Sequence, residues 1–429
     1  MLHSDIRSTF VQCLLLSIIF RFQMMSSNSK LLQLSVIVSA LGFFVDVYDL
    51  LLFAIVRKSS LAALGLSPAA ILEEGELLIS IQMVGMLLGG IFFGVVGDRK
   101  GRLQVLFGSI FLYSIANLLN GMVTDLSTYR VLRFVAGFGL AGELGAGLTL
   151  VSEQLPKEKR SMAAGIIAGF GVLGVAFSFL IKQYFDWRIC FYIGGVLGLL
   201  LLALRVRVYE SKLFKDVQHS TVGRGNFLLF FTNGNRFLRY LRCILMGLPV
   251  WYIIGVLVTF SDQFGQAFGI SGIDPGTAMV ALYLGIGLGN LLISWLSDYL
   301  QSRKKAYFLF VAFTLFFVAL FFLQEGGTAR TFYWLCFGMG VGAGFNMVYL
   351  TMGVEQFGTN LRATAAISIP NMVRGALPLI LILFRWLREL SGNYLKGALF
   401  TGVLLLVLAI IAAWQIRESY GRDLDFLEE

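Results

Sequence analysis

Two aspartates three residues apart, Asp46 and Asp49, stand inside the apolar run 31–56. On a helix, residues at this spacing share a face, which here also carries Gly42 and Phe53. A charge inside an apolar span is expensive, and such a residue is by default a functional candidate. Two buried carboxylates can take up and release a proton, or they can serve as fixed struts against a basic side chain. Arg133, in the outer part of the run 128–151, is the natural basic partner. Glu143 lies ten residues beyond Arg133 and is turned off its face, so it either lines a cavity or braces its helix against a neighbour. Arg374 is deep in the run 363–385, between Pro370 and Pro378. Proline interrupts backbone pairing, and irregular helices of this kind flank binding sites. The Arg374 guanidinium can grip a substrate carboxylate with paired N–H donors, or it can pair with an acid of the protein itself.

The elements that must position these groups are membrane helices. Of 429 residues, 57% are hydrophobic and only 14% are charged, too little polar surface for a soluble chain of this length. A membrane helix needs about 20 apolar residues. Runs of that kind fall at 31–56, 77–97, 103–122, 128–151, 161–181 and 189–207, then at 238–261, 276–298, 306–324, 331–353, 363–385 and 395–415. They do not alternate as barrel strands would. The expected fold is an all-α membrane protein with twelve transmembrane helices in two pseudo-symmetric six-helix bundles, 31–207 and 238–415. Between them, 208–237 is polar and basic and reads as a cytoplasmic linker. Residues 1–30 read as an N-terminal tail that reaches upstream of a true start at Met24 or Met25, and 416–429 as a cytoplasmic tail. Cys13, Cys190, Cys243 and Cys336 are scattered and read as ordinary buried thiols.

The net charge of +9 does not point to nucleic acid, because the basic residues gather in loops on one side. Arg99, Lys100 and Arg102 follow helix 2, Lys157, Lys159 and Arg160 follow helix 4, and Arg303, Lys304 and Lys305 follow helix 8. The positive-inside rule makes those loops and both termini cytoplasmic, in a bacterial-type inner membrane. Glu73, Glu74, Glu76, Asp262 and Asp274 fall in opposite loops, while Arg57, Lys58, Arg385 and Arg388 run against the rule. A weak repeat supports two halves: GDRKGR at 97–102 after helix 2, and SDYLQSRKK at 297–305 after helix 8.

The string from Gly85 to Arg102, GxxxGGxxFGxxGDRKGR, spaces Gly85, Gly89 and Gly94 for close helix approach and ends in a tight turn through Gly97 and Gly101. It resembles the loop signature of the major facilitator superfamily. GFFVDVYDLLLF (42–53), RFVAGFGLAGELGAG (133–147), WRICF (187–191), RVRVYESKLF (205–214) and EQFGTNLRATA (355–365) resemble its metabolite:proton symporter and sugar porter groups. Asp46 stands where Glu is usual, and Gly358 where Pro is usual. The resemblance implies that Asp49 meets Arg133. A carboxylate beside an arginine is held as the anion, and when the arginine leaves, burial favours the protonated form. It also implies an inner gate of Asp98, Arg102, Glu153, Arg160, Glu210, Glu355 and Arg362 bridging the halves. Cavity candidates on helices 1, 4, 7 and 10 are Tyr48, Trp251, Tyr252, Trp334, Asn346 and Tyr349, joined by Gln82 and Asn117.

No phosphate-binding GxxxxGK[ST] is present, and His3 and His219 are the only histidines, so neither ATP drive nor a metal site is expected. The expected protein is no enzyme. It is a monomeric secondary transporter without cofactor, a proton symporter importing an organic acid, amino acid or betaine-like solute. The rivals are an exporter or uniporter of sugars, drugs or siderophores, and a solute receptor without transport.

Overall fold

The computed structural model describes residues 30–155, 157–206, 226–422, 426 and 428. Twelve helices among them are long and apolar enough to span a membrane, and no strand is present among the described residues. In the first half they are α1 Lys30–Ala63, α2 Pro68–Lys100, α3 Arg102–Asn120, α4a Leu126–Leu140 with α4b Glu143–Gln154, α5 Lys157–Tyr184 and α6 Trp187–Arg205. In the second they are α7 Gly234–Tyr252, α8 Pro275–Tyr299, α9 Arg303–Phe322, α10a Ala329–Ala343 with α10b Asn346–Glu355, α11a Arg362–Gly375 with α11b Leu377–Ser391, and α12 Tyr394–Gln415. All but the last residue of the expected N-terminal tail, 1–29, and residues 208–225 of the expected linker lie outside the described residues. The segment expected as linker ends early, because Asn233 caps α7 at Gly234.

The pseudo-symmetry shows in the packing. Helix α1 packs on α5 and α6 as α7 packs on α11 and α12; α2 packs on α4a as α8 does on α10a. Across the middle, α2 meets α11a and α5 meets α8. Glycines allow the closest approaches. A Cβ on Gly85 would lie 2.3 Å from the Phe134 carbonyl oxygen, and one on Gly285 would lie 2.1 Å from that of Phe337. Gly89 and Gly289 repeat the contact one turn along, against Phe138 and Val341. With no hydrophobic gain from helix association in lipid, such backbone contact is what holds these pairs. The glycines of α8 form a second internal repeat that sequence reading had passed over.

Helix starts follow capping chemistry. Ser67 caps α2 with Pro68 at its first position, and Asp274 caps α8 ahead of Pro275. Helix α2 therefore begins nine residues before its expected start, and Glu73, Glu74 and Glu76 lie in helix rather than loop. Their charges are compatible with a helix end because two are paired: Arg130 donates to both oxygens of Glu74 at 2.6 and 2.7 Å, and Arg385 binds Glu76.

Helices α4, α10 and α11 are broken in the middle where continuous helices were expected. The breaks fall at Ala141–Gly142, at Gly344–Phe345 and at Ala376. Past Pro249, α7 loosens into a π-helical turn, Ile253–Val258. Broken backbone inside a membrane survives only where protein or a cavity meets the freed groups. Here Asn371 of α11a donates to the carbonyl of Ala141 at 2.8 Å, across the two halves.

Of the expected cytoplasmic tail, the described residues Glu418, Ser419, Phe426 and Glu428 are tied to the second half. Glu418 accepts from Ser302 and from the backbone N–H groups of Arg303 and Lys304, at 3.0 and 3.2 Å, so it caps α9. Glu428 pairs with Arg239 at 2.9 Å and Arg236 at 3.3 Å, and its carbonyl accepts from Asn360. Burial pushes the Glu418 carboxyl up, but hydrogen bonds from Ser302 and the backbone N–H groups outweigh that and hold it below its ordinary value. A depressed folded-state value means the anchoring is present above about pH 4.5 and fades as pH falls through the folded value. Limited proteolysis of residues 416–429 should accordingly accelerate on acidification toward pH 4, and Glu418→Gln should show the same exposure at pH 7.

Candidate functional site

Three of the breaks surround one cavity of about 50 Å³ between the halves. From the first half it is walled by Phe43, Val47 and Leu50 of α1, Leu144 of α4b, and Ala168, Gly171 and Val172 of α5. From the second it is walled by Trp251 of α7, Tyr283 and Asn290 of α8, Asn346 and Tyr349 of α10b, and Arg374 of α11a. Arg374 is 6% exposed, its Nη1 has no hydrogen-bond partner, and its guanidinium sits 5.9 Å from the centre of the Trp251 ring. It occupies the last turn of α11a because the chain breaks at Ala376, one residue before the Leu377–Pro378 start of α11b. Among the described residues, no carboxylate lines the cavity.

The structure brings Trp251, Asn346, Tyr349 and Arg374 to this cavity and sends the other candidates elsewhere. Tyr48 points into the first half, where its hydroxyl donates to the Cys190 carbonyl at 2.8 Å and ties α1 to α6. Tyr252, about 100° around the helix from Trp251, donates to Ala398 of α12. Trp334 is 61% exposed on the outer surface. Tyr283 and Asn290 were missed, although a polar residue inside the apolar run of α8 was a signal of the same kind.

Glu143 resolves as a brace. Arg205, at the end of α6, donates to it from both terminal nitrogens, one at 3.1 Å, and both side chains are at most 2% exposed. Gly42 of α1 leaves room for the pair, since a Cβ there would overlap it. Removing one partner of a buried pair strands the other charge at a cost of about 3–5 kcal/mol. Glu143→Gln should therefore lower the melting temperature sharply, and Glu143→Gln with Arg205→Gln should recover most of the loss.

Asp46 and Asp49 face the interior of the first half, behind the cavity wall formed by Phe43, Val47 and Leu50. They are 0% and 1% exposed, and none of their carboxylate oxygens has a hydrogen-bond partner. Asp49 packs against Gly194 of α6, and Asn117 lies beside it without a well-formed bond. The expected Asp49–Arg133 ion pair is not formed. Arg133 donates instead to Gln82 Oε1, and its guanidinium lies between the rings of Phe53 and Phe191, at 5.0 and 5.6 Å. Its charge still acts on Asp49, while Asp46 interacts electrostatically with Arg374 across the interface.

Bonds between the halves close both ends of the molecule. At the end bearing the basic loops, Asp98 accepts from the backbone N–H groups of Ala363 and Thr364, at 3.2 and 2.8 Å, and from the Thr364 hydroxyl at 2.6 Å. The carboxylate of α2 thus caps the N-terminus of α11a, where the helix dipole favours a negative charge. Arg102 stands 3.6 Å from Asp98 and donates to the Gly97 carbonyl. Gly97 packs against Ala363 and Ile367, and Gly101 takes a φ of +107° that favours glycine. Arg362 is buried in the first turn of α11a. Glu355 does not bridge the halves: it binds Arg303 at 3.1 Å and Ser419, all within the second half. The side chains of Glu153 and Arg160, and the whole of Glu210, lie outside the described residues.

At the opposite end the halves are joined by three of the four residues that broke the charge rule, Arg388 remaining over Phe384 within the second half. Lys58 binds Asp262 at 2.7 Å, Arg385 binds Glu76, and buried Arg57 stacks 5.1 Å from the Phe260 ring.

Twelve spanning helices in two pseudo-symmetric halves around a central cavity define a multi-pass membrane transporter. Residues 14–381 match the family model of the Major Facilitator Superfamily, and the chain belongs to that family. It is 27% identical to the cis,cis-muconate transport protein of Acinetobacter baylyi, over 88% of this chain and 93% of that one. It is 23% identical to the gentisate transporter of Corynebacterium glutamicum, over 88% and 87%, and 25% identical to the sialic acid transporter NanX of Escherichia coli, over 66% and 69%. The fold matches the proton:xylose symporter XylE bound to 6-bromo-6-deoxy-D-glucose with a TM-score of 0.69, at 17% identity over 93% of this chain and 98% of that one. These relatives are transporters, not enzymes.

Proposed function

We propose that the chain is a proton-coupled symporter that imports a small, flat organic acid, gripped by Arg374. The observation that carries this reading is the Arg374 guanidinium, buried, with an unpaired N–H and aimed into a cavity whose other walls are aromatic, amide or apolar. A guanidinium offers two parallel donors to a carboxylate. The rings of Trp251, Tyr283 and Tyr349 suit an unsaturated or aromatic body. An amino acid would leave its ammonium group unmatched, since no carboxylate lines the cavity. Relatives named for muconate and gentisate support the same solute class.

Coupling runs through α1. An anion on Arg374 cancels the positive field that favours an ionised Asp46, so substrate and proton load together. Asp49 holds the second proton position, and Arg133 becomes its partner when the halves rock. Asp98 with α11a forms the inner gate, and Lys58–Asp262 with Glu76–Arg385 the outer one. The end bearing Lys100 and Arg303 faces the cytoplasm of a bacterial-type inner membrane, with both termini on that side.

The test is a melting-temperature screen of purified protein with benzoate, nicotinate, muconate, glycine betaine, amino acids and xylose, followed by uptake into proteoliposomes under an imposed pH gradient. The reading expects shifts from the carboxylates alone, and uptake that rises with external acidity. Shifts from xylose or betaine alone would refute it.

A further inference from the structure

Residues 356–361, with Gly358 among them, form the loop between Glu355 at the end of α10b and Arg362 at the start of α11a. Glycine leaves a chain more conformational freedom than any other residue. Here bonds from the segment beyond α12 supply the order. The Thr359 N–H donates to the Phe426 carbonyl at 2.8 Å. The Asn360 side chain holds the Glu428 backbone at two points: its Nδ2 donates to the carbonyl at 2.9 Å, and its Oδ1 accepts from the N–H at 2.9 Å. Gln356 donates to the Arg417 carbonyl at 2.7 Å. The Glu428 carboxylate is fixed by Arg236 and Arg239 at the start of α7, and Arg239 reaches on to the Gln356 carbonyl at 2.8 Å. Loop, tail and α7 are thus one bonded unit.

The loop runs directly into the contact that closes the inner end. Ala363 and Thr364, whose N–H groups donate to Asp98 at 3.2 and 2.8 Å, follow closely after Asn360. A hydrogen bond of that length is lost with about half an ångström of drift, so freedom in the loop is freedom in the cap. The repeat of this motif in the second half does not share the load. Asp298 binds Arg303 of its own half at 3.3 Å and, among the described residues, makes no bond to the first half.

We infer that the segment carrying Phe426 and Glu428 is a brace for the inner gate. It holds the loop ahead of α11a where Asp98 can cap the helix, and its release shifts the protein toward the state open on the inner side. The inference rests on the reading of Asp98 and α11a as that gate.

Alkylation of a cysteine placed behind the gate tests it. Ala366 of α11a is 6% exposed, and its carbonyl lies against Gly145 of α4b, so Ala366→Cys is shielded while the inner end is closed. The purified full-length Ala366→Cys protein is treated with N-ethylmaleimide, and labelling of residue 366 and of native Cys336 is followed by mass spectrometry. Adding Asp98→Ala should speed labelling at 366 by about fivefold or more, the low end of couplings between distant sites. Adding Glu428→Ala or Asn360→Ala should do the same, and the two together should go no further than the faster one, because both cut a single link. Cys336, 0% exposed in α10a, should stay slow throughout. Glu428→Lys, which repels both arginines, replaces Asn360→Ala if that variant does not fold. Acceleration by Asp98→Ala with no effect of either tail variant would overturn the brace and leave the gate standing. Faster labelling of Cys336 along with residue 366 would overturn it as well, since the whole fold would then have loosened. No acceleration by Asp98→Ala would remove the gate reading and the brace with it.

Discussion

Arg374→Ala will lower organic-acid uptake into proteoliposomes by about 10- to 100-fold, the equivalent of losing one charge-assisted hydrogen-bonded anchor of about 1.5–3 kcal/mol. The loss should appear in the concentration for half-maximal uptake and in the melting shift caused by the acid, while the melting temperature without ligand stays near that of the wild type. That last expectation follows from the site. Arg374 has an unpaired Nη1, and no ion pair in the second half depends on it. Arg374→Lys should fall between the two, because an ammonium keeps the charge but offers no planar fork. Undiminished uptake in Arg374→Ala would show that the guanidinium does not hold the solute.

Asp49→Asn should separate substrate movement from proton movement. The amide matches the carboxylate in shape but cannot cycle a proton. The wild type should accumulate acid against its gradient, by up to about tenfold for each unit of imposed pH difference if one proton accompanies one substrate. The variant should equilibrate the acid without accumulating it, and still exchange labelled for unlabelled acid. Its uptake should also lose the rise with external acidity. Accumulation that survives in Asp49→Asn and disappears in Asp46→Asn would move the proton to the neighbouring carboxylate, and survival in both would exclude α1 as the carrier. The absence of a direct Arg133 bond makes Asp49 the better first target, because its proton is not held by competition with a tight ion pair.

The helices were legible in the sequence because long apolar runs have few other uses. Their edges were less so: Glu73, Glu74 and Glu76 resembled a loop, but the Ser67 cap and Pro68 start the helix ahead of them, and Glu74 and Glu76 pair with Arg130 and Arg385. Individual polar residues inside apolar runs stood out, which is why Arg374, Asn346 and Tyr349 could be named. Which way each faced could not be read, since neighbouring positions such as Trp251 and Tyr252 differ by about 100° and end on a cavity and on α12 respectively. The walls supplied by Phe43, Val47 and Leu50 carried no signal, being apolar among apolar neighbours. Pairings were the least legible part. Arg205 lies 62 residues from Glu143, and Lys58 lies 204 from Asp262, so no local pattern announces either bond. Four charges violated the topology rule, and three of them, Arg57, Lys58 and Arg385, proved to join the halves, while Arg388 stays within the second half over Phe384.

The clamp of Arg236, Arg239 and Asn360 on Glu428 has a practical meaning for measuring motion. A fluorophore attached just beyond Glu428 would ride with the second bundle as a fixed passenger instead of swinging on a loose leash. Paired with a second dye at Lys100, on the exposed edge of the first bundle, it would convert rocking of the two bodies into a change in energy transfer, readable one molecule at a time.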